Sequence, residues 1–134
     1  MGPKAATPSI VVAPTANLVT YETPNAYYVT NSYTNSFTVR LSEAPTANVT
    51  ISGIYSSDTT EGIVCNGLTS LTFTPANWWN PQTVYVTGVD DLDADGQQAY
   101  TIVLPAATST DPRFNGLKPS DVACINMDNE ASIG

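Results

Sequence analysis

The stretch LTFTPANWWNPQTVYVTGVDDLDADGQQAYTIVL, residues 71–104, holds three runs of two-residue period separated by two breaks. In the first run Leu71 and Phe73 alternate with Thr72 and Thr74, and Pro75 ends it. In the second, Gln82 to Val89, Val84, Val86 and Gly88 are set against Thr83, Tyr85 and Thr87. In the third, Ala99 to Leu104, Tyr100, Ile102 and Leu104 share one side. That period places alternate side chains on opposite faces of a strand. The piece Pro75 to Asn80 is the most helix-like in the chain, but it is short and bounded by prolines.

The same pattern extends outward. Ser9 to Ala13 reads as a first strand closed by Pro14, and Asn17 to Tyr21 as a short second one. A turn is expected at Glu22 to Asn25, with local pairing around Tyr27 to Val29. Ser36 to Ser42 alternates cleanly, with Phe37, Val39 and Leu41 on one face. Ala44-Pro45-Thr46 turns the chain into a strand carrying Val49 and Ile51, with Ile54 beyond. Asp111 to Pro119 is a turn-rich loop before a last strand, Val122 to Met127. Many short strands with apolar faces need a second sheet to cover them, which predicts an all-β Greek-key β-sandwich of immunoglobulin-like type. Residues 1–8 read as a start segment and linker, 9–130 as a single sandwich module, and 131–134 as a linker to a following module.

The chain has 134 residues, with four Lys or Arg, twelve Asp or Glu, no His and a formal net charge of -8. Four cations are too few to bind nucleic acid by phosphate neutralisation. The lack of His removes Ser-His-Asp and Cys-His catalysis and any His-ligated zinc site. Charged residues are only 12% of the chain, and Thr, Ser, Asn and Gln supply much of the polar surface. No run approaches the roughly 20 apolar residues of a membrane span, so direct membrane insertion is not expected. No nucleophile elbow, phosphate loop or metalloprotease motif occurs. A glycosidase needs a cleft around its paired acids, which a compact sandwich with acids in its turns does not offer.

The acids are unevenly spread. Four fall in Asp90-Asp91-Leu92-Asp93-Ala94-Asp95, directly after a strong strand. Asp128-Asn129-Glu130 follows the last strand, and Glu22 and Asp58 sit in other expected turns. Crowded carboxylates repel, and the few cations cannot neutralise them. A hard divalent cation resolves the conflict, and calcium, which takes six to eight oxygens, suits it better than magnesium. An EF-hand is excluded, because its spacing fails and no flanking helices are expected. The competing reading is a solvated acidic turn.

Residues 71–104 are also similar to repeats of large bacterial surface or secreted proteins that resemble Calx-beta domains. Those domains are calcium-binding β-sandwiches, also found in sodium–calcium exchangers and in integrin β4. The ending INMDNE, residues 125–130, resembles the acid-rich close of such modules, and PSIVVAPTANLVTYE resembles an opening strand. The resemblance implies calcium at one tip of the sandwich. It implies ligands at Glu22, Asp90, Asp91, Asp95, Asp128, Asn129 and Glu130, with Asp58 in the mid-chain loop, where Glu61 competes. Leu92 and Asn129 depart from the family by replacing acids.

The resulting expectation is a non-enzymatic, calcium-stabilised structural module of an extracellular, cell-surface tandem array, whose partners are neighbouring modules of the same chain. The alternative is an adhesin or carbohydrate-binding module that meets a glycan or a host or cell-surface protein through Trp78 and Trp79, beside Asn77 and Asn80. Against that, adjacent Trp residues cannot both face inward, so one caps the core while the other shields a loop. Cys65 and Cys124 form an even pair, and an extracellular setting favours a disulfide worth about 2–4 kcal/mol. Two buried thiols are the alternative.

Overall fold

The computed structural model describes residues 7–21, 34–65, 69–89 and 98–127. These form eleven strands: β1 (Ile10–Ala13), β2 (Leu18–Tyr21), β3 (Thr34–Leu41), β4 (Val49–Ser52), β5 (Tyr55–Ser56), β6 (Gly62–Val64), β7 (Ser70–Phe73), β8 (Gln82–Gly88), β9 (Gln98–Val103), β10 (Thr108–Ser109) and β11 (Val122–Met127). The expected turn at 22–25 and the pairing at 27–29 lie outside the described residues.

One sheet has the order β1-β3-β8-β6, a second β2-β11-β9-β5, and a third β10-β4-β7. The pairings are antiparallel except β2 with β11, which is parallel. The chain therefore changes sheets between β1 and β2. The change occupies residues 14–17, which contain a cis Ala13–Pro14 bond and Asn17 at φ 61°. Asn is among the few non-glycine residues that reach this left-handed region readily. The Thr15 carbonyl accepts a hydrogen bond from the Ala123 N–H, which fastens the switch to β11.

The expected alternation becomes one core shared by all three sheets. Phe37, Val39 and Leu41 of β3 point inward, and the register sets Phe37 opposite Val84 and Val39 opposite Val12. Val49 faces Phe73 and Ile51 faces Leu71 in the third sheet. Ile102, Leu104, Val122 and Phe114 belong to the same buried set. Each such side chain contributes about 1.5–3 kcal/mol on burial. Residues 75–79 form turns rather than a helix.

The strand directions define two poles. At the first, β3 ends at Leu41 and β8, β9 and β11 have their far ends at Gln82, Val103 and Val122. At the second, β2 ends at Tyr21, β8 at Gly88 and β11 at Met127, while β9 begins at Gln98.

Candidate functional site

In the second sheet the inward positions change character toward the second pole. The row nearest the first pole holds Val122, Ile102 and the small buried Ser56; the next holds Leu18, Cys124 and Tyr100; the last holds Thr20, Asn126 and Gln98. Thr20 and Asn126 are fully buried. A buried polar group costs free energy unless it is hydrogen-bonded, and these are. The Thr20 hydroxyl lies 2.7 Å from the Tyr100 hydroxyl and donates to Asn126 Oδ1 at 2.9 Å. Asn126 Nδ2 donates to Glu61 Oε1 at 3.4 Å and to the Val89 carbonyl at 3.3 Å.

Two glycines make room for this layer. A Cβ on Gly62 would collide with the Tyr100 ring. One on Gly88 would collide with Asn126 Oδ1 and the Tyr21 carbonyl. The two glycines face each other across the β6–β8 pair. Burial, the largest cause, pushes the Tyr100 phenol above its ordinary value, with the Thr20 hydrogen bond opposing. Burial likewise raises the Cys124 thiol to about 11.

Glu61 is an acid only 5% exposed. Its backbone accepts from the Val89 N–H at 2.9 Å, which ties the 58–61 turn to the end of β8. Asp58 closes that turn. Its Oδ1 accepts from the Thr60 N–H and hydroxyl, and its carbonyl accepts from the Glu61 and Gly62 N–H groups.

Of the eight expected cation ligands, Asp58 alone is among the described residues, and it stands at this pole. Glu22, Asp90, Asp91, Asp95, Asp128, Asn129 and Glu130 lie outside them. Glu22 directly follows β2, Asp90 to Asp95 lie in the sequence between β8 and β9, and Asp128 to Glu130 follow β11. Among the described residues, no group of three or more His, Cys, Asp or Glu gathers as a metal site would need. The oxygen donors present, the carboxylates of Asp58 and Glu61, are hard ligands of the kind calcium takes.

The first pole is built differently. The Asp111 carboxylate is 1% exposed and accepts from Arg113 Nε and Nη2, the Arg113 N–H and the Thr46 N–H. Arg113 also reaches Glu43 and the Ala44 carbonyl, and its guanidinium lies 5.5 Å from the Phe114 ring centre. The Arg113 hydrogen bonds, more than any other cause, hold the Asp111 carboxyl well below the usual carboxylate range. Lys118 pairs with Asp121 nearby. Arg40, one residue before the end of β3, donates to the Leu41 carbonyl. The three described cations thus all sit in this half, Arg113 paired with Glu43 and Asp111, Lys118 with Asp121, and Arg40 near the end of β3. Sequence reading did not anticipate this cluster; Arg113 within the 111–119 loop was its available signal.

The two Trp residues occupy the β7–β8 loop at this first pole. Trp78 packs against the core and its carbonyl accepts from the Leu41 N–H, whereas Trp79 is 58% exposed. The expected disulfide is not formed. Cys65, half-buried after β6 in the first sheet, and Cys124, buried on the inner face of the second, are separate thiols. Cys124 Sγ donates instead to the Val122 carbonyl at 3.5 Å.

No protein-family profile and no curated protein sequence matches the chain. Solved structures do. The apo form of the Calx CBD1 domain superposes with a TM-score of 0.58 at 13% identity, covering 92% of this chain and 99% of that one. The periplasmic chaperone SfaE gives 0.61 at 8% identity, over 90% of this chain and 58% of the chaperone. The CsuC–CsuE chaperone–tip adhesion subunit complex from Csu pili of Acinetobacter baumannii gives 0.58 at 8%, over 90% and 57%. The likeness is one of fold. The fold is a Calx-beta-like, immunoglobulin-like β-sandwich; the alternation predicts the sandwich, and the sequence resemblance implied the Calx-beta likeness.

Proposed function

We propose that this sandwich is a non-enzymatic structural module of an extracellular tandem-repeat protein, and that its second pole binds calcium. The observation that carries this reading is the division of charge. Three of the twelve acids stand at the first pole, paired with Arg113 and Lys118, and Arg40 lies in the same half. Asp58 and Glu61 stand at the second, and the other seven belong to segments adjoining strands that end or begin there. The fourth cation, Lys4, lies outside the described residues. Unneutralised carboxylates disfavour one another, and a divalent ion with six to eight oxygen ligands relieves them. A bound ion supplies charge neutralisation and crosslinks chain segments. Asp58 and Glu61 are the described residues that would hold it. The last acids precede residues 131–134, so occupancy would stiffen the way to a neighbouring module.

Thermal unfolding in millimolar calcium against excess chelator tests this. The expected result is a midpoint several degrees higher with calcium, following the linkage of ligand binding to stability. Coincident curves would sink the proposal. The exposure of Trp79 favours a second reading, an adhesin or carbohydrate-binding module meeting a glycan or cell-surface protein at the first pole. Glycan-array binding that disappears in Trp79→Ala would support it.

A further inference from the structure

We infer that Thr20 and Asn126 are the two halves of an intramolecular ester crosslink between β2 and β11, formed when the Thr20 hydroxyl displaces ammonia from the Asn126 carboxamide with Glu61 carrying the proton. The inference does not depend on calcium. The two residues are partners in the parallel β2–β11 pair, and both are fully buried on its inner face. Thr20 Oγ1 lies 2.9 Å from the oxygen of the amide whose carbon it would attack. Its own proton points to Asn126, so it accepts from the Tyr100 hydroxyl at 2.7 Å, which holds it against the amide. Glu61 Oε1 stands 3.4 Å from Asn126 Nδ2, the nitrogen that must leave, and Glu61 is itself buried. A hydroxyl, an acyl group and an acid–base group thus meet on one amide, which is the set that acyl transfer needs.

The step balances without an oxidant or reductant. The Thr20 oxygen attacks Asn126 Cγ and an O–C bond forms. Glu61, in its acid form, gives a proton to Nδ2, the C–N bond breaks, and ammonia departs. The hydroxyl proton of Thr20 passes to Glu61 and restores it. Hydroxyl plus carboxamide become ester plus ammonia. A free Thr hydroxyl is a weak nucleophile, and fixing it beside a single amide replaces a chance encounter with a standing contact. Burial keeps away the water that would hydrolyse the ester, and escape of ammonia to solvent draws the step forward. The bond closes residues 20–126 into a ring. Tension that enters before β2 and leaves after β11 then passes through the ester, and β3 to β10 bear none of it.

The test is mass spectrometry of the denatured, reduced protein. The parent protein should weigh less than its sequence by one ammonia. Cleavage after Arg40 and Arg113 puts Thr20 and Asn126 in different peptides, and these should stay together as one linked species that mild alkali splits. Thr20→Val keeps the shape and removes the nucleophile, so the ammonia should be retained and the peptides should separate. Glu61→Gln, which also keeps the shape, should contain little of the linked species. Thr50→Val, which removes a part-buried hydroxyl from β4 in the third sheet, should link as the parent does. Separate peptides from the parent protein would overturn the inference, whether or not it binds calcium. A linked species that survives alkali, or that persists in Thr20→Val, would be a different bond and would overturn it too. Full linkage in Glu61→Gln would overturn the role given to Glu61.

Discussion

At the first pole the Asp111 carboxylate sits among four N–H donors from Arg113 and Thr46, with Glu43 drawn onto the same guanidinium. At the second, the equally enclosed Glu61 meets a neutral amide, and the described cations all lie at the other end. The first pole closes itself with side chains of its own. The second has a built polar floor and carboxylates concentrated in the adjoining sequence.

The largest effect that separates the poles should come from Phe114→Ala. Phe114 is fully buried and lies beneath the Arg113 guanidinium. Its removal leaves a cavity and unseats the clamp, so denaturant unfolding should show a loss of about 3–5 kcal/mol with or without calcium. A loss that appears only in chelator would show that the first pole depends on the second.

Gly88→Ala comes next. The new methyl meets the Asn126 side chain and the Tyr21 backbone carbonyl, which cannot swing away like a flexible side-chain tip. Overpacking of this kind costs about 1–3 kcal/mol. Because it pushes apart β8, β2 and β11 at the second pole, it should also diminish calcium stabilisation, measured as the difference between midpoints with calcium and with chelator. An unchanged difference would separate the floor of the pole from its ligand chemistry.

The third comparison uses acid. The folded Asp111 carboxyl lies well below its ordinary value of 3.8. Its contribution is therefore present above that value, and it fades as the pH falls toward the folded one. Stability of the parent protein measured in chelator should drop below about pH 4, and Asp111→Asn should show a shallower acid limb and a lower midpoint at neutral pH. Identical acid limbs would remove Asp111 as the source.

The same contrast shows what the sequence makes legible. Phe37-Thr38-Val39-Arg40-Leu41 and Val84-Tyr85-Val86 alternate long enough for the period to name the strand and its buried face, and both are strands with those faces buried. β5, β6 and β10 are two or three residues long, too short to display any period, and exist because neighbouring strands offer them backbone partners. The acidic clustering was visible as composition. The buried polar layer was not, because Thr20, Tyr100 and Asn126 are 26 to 106 residues apart and nothing local in any of them signals the others. Asp58 stood ahead of Glu61 in the sequence reading, yet Glu61 is the more buried of the two and the one that meets the floor. Similarly, Asp111 and Arg113 are two residues apart, but Thr46 and Glu43 reach them only through the fold.

The smallest effect concerns the Trp pair. Trp78 and Trp79 are neighbours in sequence with opposite surroundings: the first packs against the core and the second projects into solvent. Trp79→Ala should therefore change stability by no more than about 0.5 kcal/mol, as surface substitutions generally do. Trp78→Ala should cost several times more, since it strips a covering from the end of β3, where the Leu41 N–H bonds to the Trp78 carbonyl. Tryptophan emission reads the same difference. Without Trp79, the remaining emission should shift to shorter wavelength; without Trp78, to longer. Equal stability losses would mean that Trp79 also seals the core, and its exposed ring would then cease to distinguish a binding surface from packing.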